Sequence, residues 1–165
     1  MLLAYGGIIT ALSVIFLFLS SVVSINTLAF LTLTSCLIGI MYIEGGLKYS
    51  LLTFFAVSIL SFFLPVDRIS VLYYFGFFGY YPILKAYIEK IRKLSTELII
   101  KTIFFIIIAF LGVYIISFFT GVKISDRLPW QIVAVGLGLV IHIYDYILSL
   151  FFSFYERKLK NKLRR

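Results

Sequence analysis

Six apolar segments, separated by charged residues, Pro and Gly, constrain the fold of this sequence more than any other feature. Each has about 17 residues or more, close to the minimum for a helix that crosses the bilayer core. Hydrophobic residues make up 62% of the 165 and charged residues only 13%, whereas a soluble domain has about 25% charged residues. One small core cannot bury that much apolar surface, so lipid must solvate the excess. The segments are 2–24, 27–43, 47–64, 70–88, 98–120 and 130–154.

These segments predict an all-α, polytopic membrane protein, a bundle of six transmembrane helices forming a single integral membrane domain over residues 1–165. Six helices of about 20 residues leave no room for a soluble domain. No basic stretch precedes the first segment, and no cleavage site with a soluble domain follows it. We therefore expect a retained spanning helix there and not a secretory signal.

The basic residues predict the orientation. With six spans, 12 Lys and Arg residues lie on the side that holds both termini, and only Arg68, Lys123 and Arg127 lie on the other. Cytoplasmic loops carry the excess of Lys and Arg, so both termini are expected in the cytoplasm, with the chain multi-pass in a bacterial inner (cytoplasmic) membrane. The basic tail, 156–165, is expected to bind anionic lipid headgroups or to dock a partner.

Lipid headgroups also account for the net charge of +8, since the cations cluster at helix ends and in the tail. We therefore expect the bilayer, and no nucleic acid, as the partner of these charges. Trp130, directly after Pro129, is expected to anchor the last helix at the outer interface.

The last segment has one narrow polar face. A carboxylate facing hydrocarbon costs about 2.5–3.5 kcal/mol, so Asp145 is expected to point into the bundle. His142 lies one turn earlier and is expected within hydrogen-bond reach of it. The residues of this face are Gln131, Ala134, Gly138, His142, Asp145 and Ser149.

The fourth segment offers a cation for Asp145. Lys85 and Asp145 are both expected about 22 Å from the outer end of their helices, and we predict a buried ion pair between them. Three roles stay open: packing alone, coupling or gating, and a proton path. Gly76, Gly79 and Pro82 predict a kink in the same segment, either as part of a binding site or as a tolerated proline.

The first segment carries small residues on one side. Ala4, Gly7 and Ala11 are spaced at i, i+3 and i+7, which allows another helix to approach closely. That helix belongs either to this chain or to a second membrane subunit.

Signatures of catalysis are absent. The sequence has one His and one Cys, Cys36, so neither an HExxH motif nor a CxxC site exists. His142 with Asp145 supplies two ligands, too few for a zinc or iron site. We expect no enzyme activity, no cofactor and no metal.

The size, the topology and the phrase ITALSVIFLF, which contains Ala11 and follows Gly7, resemble the substrate-binding S subunits of energy-coupling-factor vitamin transporters. The resemblance implies an outward-facing pocket for a vitamin-like small molecule and ATP hydrolysis by separate subunits that dock on the first helix. The neutral side chains Asn26, Tyr73, Tyr74 and Tyr81 are then the expected ligand-binding residues.

A second class fits the same outline. The rod-shape membrane subunit of the bacterial elongation machinery is similar in size and topology. The alternative function is therefore a noncatalytic membrane scaffold in a cell-envelope assembly complex.

Overall fold

The structure is a computed structural model that describes residues 2–89, 100–108, 111 and 130–160. These residues are helical apart from short turns, and no strand occurs among them. The all-α prediction is therefore confirmed for this part of the chain. Most of the expected fifth span, 98–120, and the connection 121–129 lie outside the described residues.

Up to residue 88 the helices follow one another along the chain with short connections. A 3₁₀ turn, Ser24–Asn26, separates the first two, a π-helical turn, Tyr74–Phe78, follows the third, and a π-helical segment, Tyr155–Lys160, ends the described chain. We refer to the helices as α1 Leu2–Val22, α2 Thr27–Phe63, α3 Arg68–Tyr73, α4 Tyr81–Ile88, α5 (helical residues 100–108) and α6 Trp130–Phe154.

In the part of the chain that the structure describes, three helices are long and apolar enough to cross a membrane: Leu2–Val22, Thr27–Phe63 and Gly138–Arg157. The chain divides into two compact units, which are described separately. The first unit comprises Met1–Tyr87 with Leu150–Arg165, and the second comprises Ile88–Ser149. The expectation of a single integral domain stays a prediction.

Helix α2 reverses direction at Gly46. The backbone there has φ 74° and ψ −171°, a region that is essentially restricted to glycine. Leu31 and Val57 belong to one buried cluster, although a straight helix would place them about 39 Å apart. The helix therefore consists of two arms, 27–45 and 47–63, which correspond to the second and third apolar segments of the sequence.

Helix α1 packs against both arms of α2. A Cβ atom added to Gly6 would lie 3.6 Å from Met41 Cε, on the first arm, and 3.6 Å from Thr53 Oγ1, on the second. One face of α1 is buried and bears Ile9, Thr10, Ser13, Leu17 and Ser20. The opposite face is exposed and apolar, as expected of a helix surrounded by lipid.

The fourth apolar segment forms a broken helix. Asp67 caps α3 by accepting a hydrogen bond from Ser70 N at 3.1 Å, and its own N–H donates to Ser21 Oγ, near the end of α1, at 2.7 Å. The π-helical turn then closes with Gly79 N donating to Tyr74 O at 2.7 Å, and α4 begins two residues later. The interruption lies where the sequence predicts a kink.

Candidate functional site

Hydroxyl side chains are common in the helices of the first unit, and most donate to a backbone carbonyl of their own helix. Ser50, for example, donates to Leu47 O at 2.9 Å. This local bond satisfies a hydroxyl in an apolar environment without any neighbouring helix. The hydroxyls that follow this pattern include those of Thr10, Ser20, Thr34, Ser35, Ser50, Thr53 and Ser58.

Three buried hydroxyls of the first unit lack any described hydrogen-bond partner. Ser13, Ser61 and Tyr74 are 0%, 1% and 0% exposed, and their oxygens have no hydrogen-bond partner among the described residues. A buried polar group without a partner costs about 1–3 kcal/mol. Such groups require an explanation, and hydrogen bonding to a bound molecule is one.

Ser13 and Ser61 lie at similar depth in the first unit. Gly6 on α1 is next to Thr53 on the second arm of α2, and the reversal at Gly46 makes these two helices run in the same direction. Ser13 follows Gly6, and Ser61 follows Thr53, by about two helical turns, or roughly 10–12 Å. The two hydroxyls therefore occupy one layer of the unit.

Tyr74 also lies in the buried core of the first unit. The chain passes Ser21 at Asp67 and turns back into the core, and Tyr74 follows Asp67 by about 10 Å of helix. Its ring packs on Phe54, with centroids 5.7 Å apart, and a Cβ atom on Gly79 would lie 2.8 Å from its Cζ. Its hydroxyl therefore lies beside Gly79, within the buried core.

Of the four residues expected to bind a ligand, only Tyr74 carries a buried hydroxyl without a described hydrogen-bond partner. Tyr74 is buried, but Asn26 and Tyr73 are exposed. Tyr81 is fully buried and stacks on Phe77, with ring centroids 5.0 Å apart. Ser13 is not among the residues predicted from the sequence to bind a ligand, although its spacing from Thr10, Leu17 and Ser20 places all four on one face of α1.

The second unit holds a cluster of three charges. Lys101 Nζ, on α5, lies 3.3 Å from Glu89 Oε1 and 3.3 Å from Asp145 Oδ2. The side chain of Lys101 is 7% exposed and that of Asp145 is 19% exposed. Asp145 is thus largely buried and paired, as its position in an apolar helix predicts, and Lys101 is a cation beside it. Lys101 had a signal in the sequence, since it lies inside the apolar segment 98–120.

His142 and Lys85 are the other two residues that the sequence groups with Asp145. His142 is exposed, its Nδ1 lies 2.8 Å from Gly138 O, and its ring packs edge-on against Phe105. His142 Nδ1 thus pairs with a backbone carbonyl of α6, and its hydrogen bond to Asp145 stays a prediction. Lys85 is fully buried in the first unit, and its pairing with Asp145 stays a prediction.

The small-residue face of α1 points away from the rest of the first unit. Ala4, Gly7 and Ala11 are exposed, and a Cβ atom on Gly7 would meet nothing within 4 Å. Within the described part of the chain, no helix packs on this face.

The described residues contain no group of three or more His, Cys, Asp or Glu side chains that could hold a metal ion. No protein-family model matches the chain, and no curated protein or solved structure matches it either.

Proposed function

We propose that this chain is a membrane-embedded subunit that binds a small polar molecule and receives energy from separate ATPase and coupling subunits. It crosses the bacterial inner membrane six times, with both termini in the cytoplasm. The observation that carries the proposal is the set of three buried hydroxyls, Ser13, Ser61 and Tyr74, which no described side chain or backbone group satisfies.

The chemistry of these groups indicates the class of ligand. Hydroxyls donate and accept hydrogen bonds and carry no charge, and the aromatic ring of Phe54 packs on Tyr74. A neutral, flat molecule with several polar atoms, such as a vitamin, fits this environment.

The six-span topology is supported by the two arms of α2. At 1.5 Å per residue they are about 28 and 25 Å long, close to the thickness of the hydrocarbon core. Each arm therefore suffices for a crossing of its own, and the turn at Gly46 is brief. The remaining spans of the proposal correspond to the apolar segments 70–88, 98–120 and 130–154.

The exposed face of α1 is the proposed docking surface for a coupling subunit. Association of helices in lipid depends on close van der Waals packing, and residues without bulk permit it. Gly7→Leu and Ala11→Leu should therefore reduce the recovery of a membrane partner in a pull-down and leave the isolated protein folded, because this face contacts no described helix.

Ligand binding is tested by thermal unfolding of the purified protein in detergent against a panel of vitamins and metabolites. We expect one compound to raise the Tm of the wild type, and Tyr74→Phe and Ser61→Ala to abolish that rise. Removing an unsatisfied hydroxyl should not lower the Tm of the unliganded variants. Ser50→Ala is the matched control, since the Ser50 hydroxyl is buried but bonded to Leu47 O.

A scaffold gives the opposite result. No compound then stabilises the protein, and envelope-assembly proteins co-purify with it in mild detergent. That outcome would replace the transport proposal with the alternative function.

A further inference from the structure

The break between α3 and α4 has a chemical cause at Pro82. In a continuous helix the N–H of residue 82 would donate to the carbonyl of residue 78, but proline has no N–H. The backbone before it is π-helical over Tyr74–Phe78, a conformation that is rare and occurs frequently at functional sites.

A serine from another helix donates to the carbonyl that Pro82 cannot reach. Ser35, on the first arm of α2, is fully buried, and its Oγ lies 2.6 Å from Phe78 O. The same Oγ lies 3.0 Å from Leu31 O, in its own helix. One hydroxyl proton thus has two acceptors, one across the helix contact and one within its helix. Ser35 can release Phe78 O and still keep a hydrogen bond.

The packing around the break differs between its two glycines. A Cβ atom on Gly79 would lie 2.6 Å from Phe54 Cε2, so the chain approaches the core closely at this point. Gly76 is exposed, and a Cβ atom there would meet nothing within 4 Å. The inner side of the break therefore packs on the Phe54 ring, through Gly79 and the rings of Tyr74, Phe75 and Tyr80, and is bonded to Ser35. The outer side, at Gly76, is open.

We propose that residues 74–82 form a hinge and that the Ser35 hydroxyl is its latch. In the closed state Ser35 donates to Phe78 O, and in the open state it donates to Leu31 O and the break separates from Phe54. Tyr74 lies within the hinge, so opening would also expose its hydroxyl. That last consequence rests on the proposed ligand function, whereas the hinge does not.

The test is amide hydrogen exchange of the intact protein in detergent, without ligand. In Ser35→Ala we expect peptides that cover 74–84 to exchange about fivefold faster, as for the loss of one typical hydrogen bond. Exchange in α1 and in the arms of α2 should stay as in the wild type. Ser50→Ala removes an equally buried hydroxyl that bonds only within its own helix, and it should leave 74–84 unchanged.

A second variant addresses the latch independently. Pro82→Ala supplies the missing N–H, so exchange at 74–84 should slow, and adding Ser35→Ala to this background should have little effect. An unchanged rate in Ser35→Ala would overturn the proposal. Faster exchange throughout the first unit in Ser35→Ala would also overturn it. The same holds if Ser35→Ala has an equal effect on exchange in the wild type and in the Pro82→Ala variant. A failed ligand screen would leave these results unaffected, which separates the hinge from the proposed function.

Discussion

Lys101 is the residue whose environment is least expected from its chemistry. A lysine in an apolar helix is costly unless it is paired, and here two carboxylates from different helical segments lie 3.3 Å from its Nζ. The attraction between buried charges repays the cost of taking them out of water only where the geometry is good, and removing one partner leaves an uncompensated buried charge. The cluster therefore makes its members mutually dependent.

This dependence gives a prediction at the residue scale. Lys101→Met should lower the free energy of unfolding by about 3 kcal/mol, because it leaves the Asp145 carboxylate largely buried without this cation. Asp145→Leu should also destabilise the protein, and the double variant should recover part of the combined loss. Thermal unfolding in detergent measures all three.

The same cycle distinguishes the two candidate cations. Repeating it with Lys85→Met in place of Lys101→Met tests the Lys85–Asp145 pair that the sequence predicts. Strictly additive losses in either cycle would show that the lysine in question does not interact with Asp145.

The sequence predicts that Asp145 is buried, but it does not predict that Lys101 lies beside it. The cost of a carboxylate in hydrocarbon depends only on the helix that carries it, so burial and pairing could be predicted. The identity of the cation depends on which helices are adjacent. Lys85 qualifies as a partner because it lies at the same depth as Asp145 along its own helix. That depth does not show whether the two helices are neighbours.

At the scale of elements, Gly79 and Gly76 offer a matched pair within one broken helix. Gly79→Ala should destabilise the protein by about 1–3 kcal/mol, since the new Cβ would overlap the Phe54 ring and the core would have to shift. Gly76→Ala should be neutral or slightly stabilising, because the position is open and alanine favours helical backbone. Equal Tm values for the two variants would contradict the close packing at Gly79.

The two arms of α2 illustrate the same distinction between local and non-local information. The sequence predicts a connection between the segments 27–43 and 47–64, and Gly46, with its positive φ, lies within it. What the pattern does not contain is the contact of both arms with one face of α1. That contact buries Thr53 and Met41 beside Gly6 and leaves the Ala4 side of α1 exposed.

At the scale of the whole molecule, the topology is the main testable expectation. Setting aside the buried Lys85 and Lys101 leaves ten basic residues on the side of the termini against three on the other, so the charge asymmetry persists without them. This asymmetry continues to favour cytoplasmic termini.

Single cysteines in a Cys36→Ser background test this orientation. Arg68→Cys, at the exposed start of α3, and Ser125→Cys should react with a membrane-impermeant maleimide added outside intact cells. Ser95→Cys and a cysteine at the C-terminus should react only after the cells are opened. External labelling of either of the last two would reverse the orientation or change the number of spans.

Taken by itself, the sequence determined the properties that depend on composition and spacing along one helix. It determined the all-helical class of the described residues, the break near Pro82 and the burial of Asp145, because each follows from local hydropathy, backbone chemistry or the cost of one charge in lipid. Only the tertiary structure decided which groups come into contact, such as Lys101 with Asp145 and Ser35 with Phe78 O. It also decided that the buried hydroxyls of Ser13 and Ser61 have no described partner. Such contacts depend on how helices pack across long stretches of chain, and the apolar surfaces of lipid-embedded helices are too alike for periodicity to specify their neighbours.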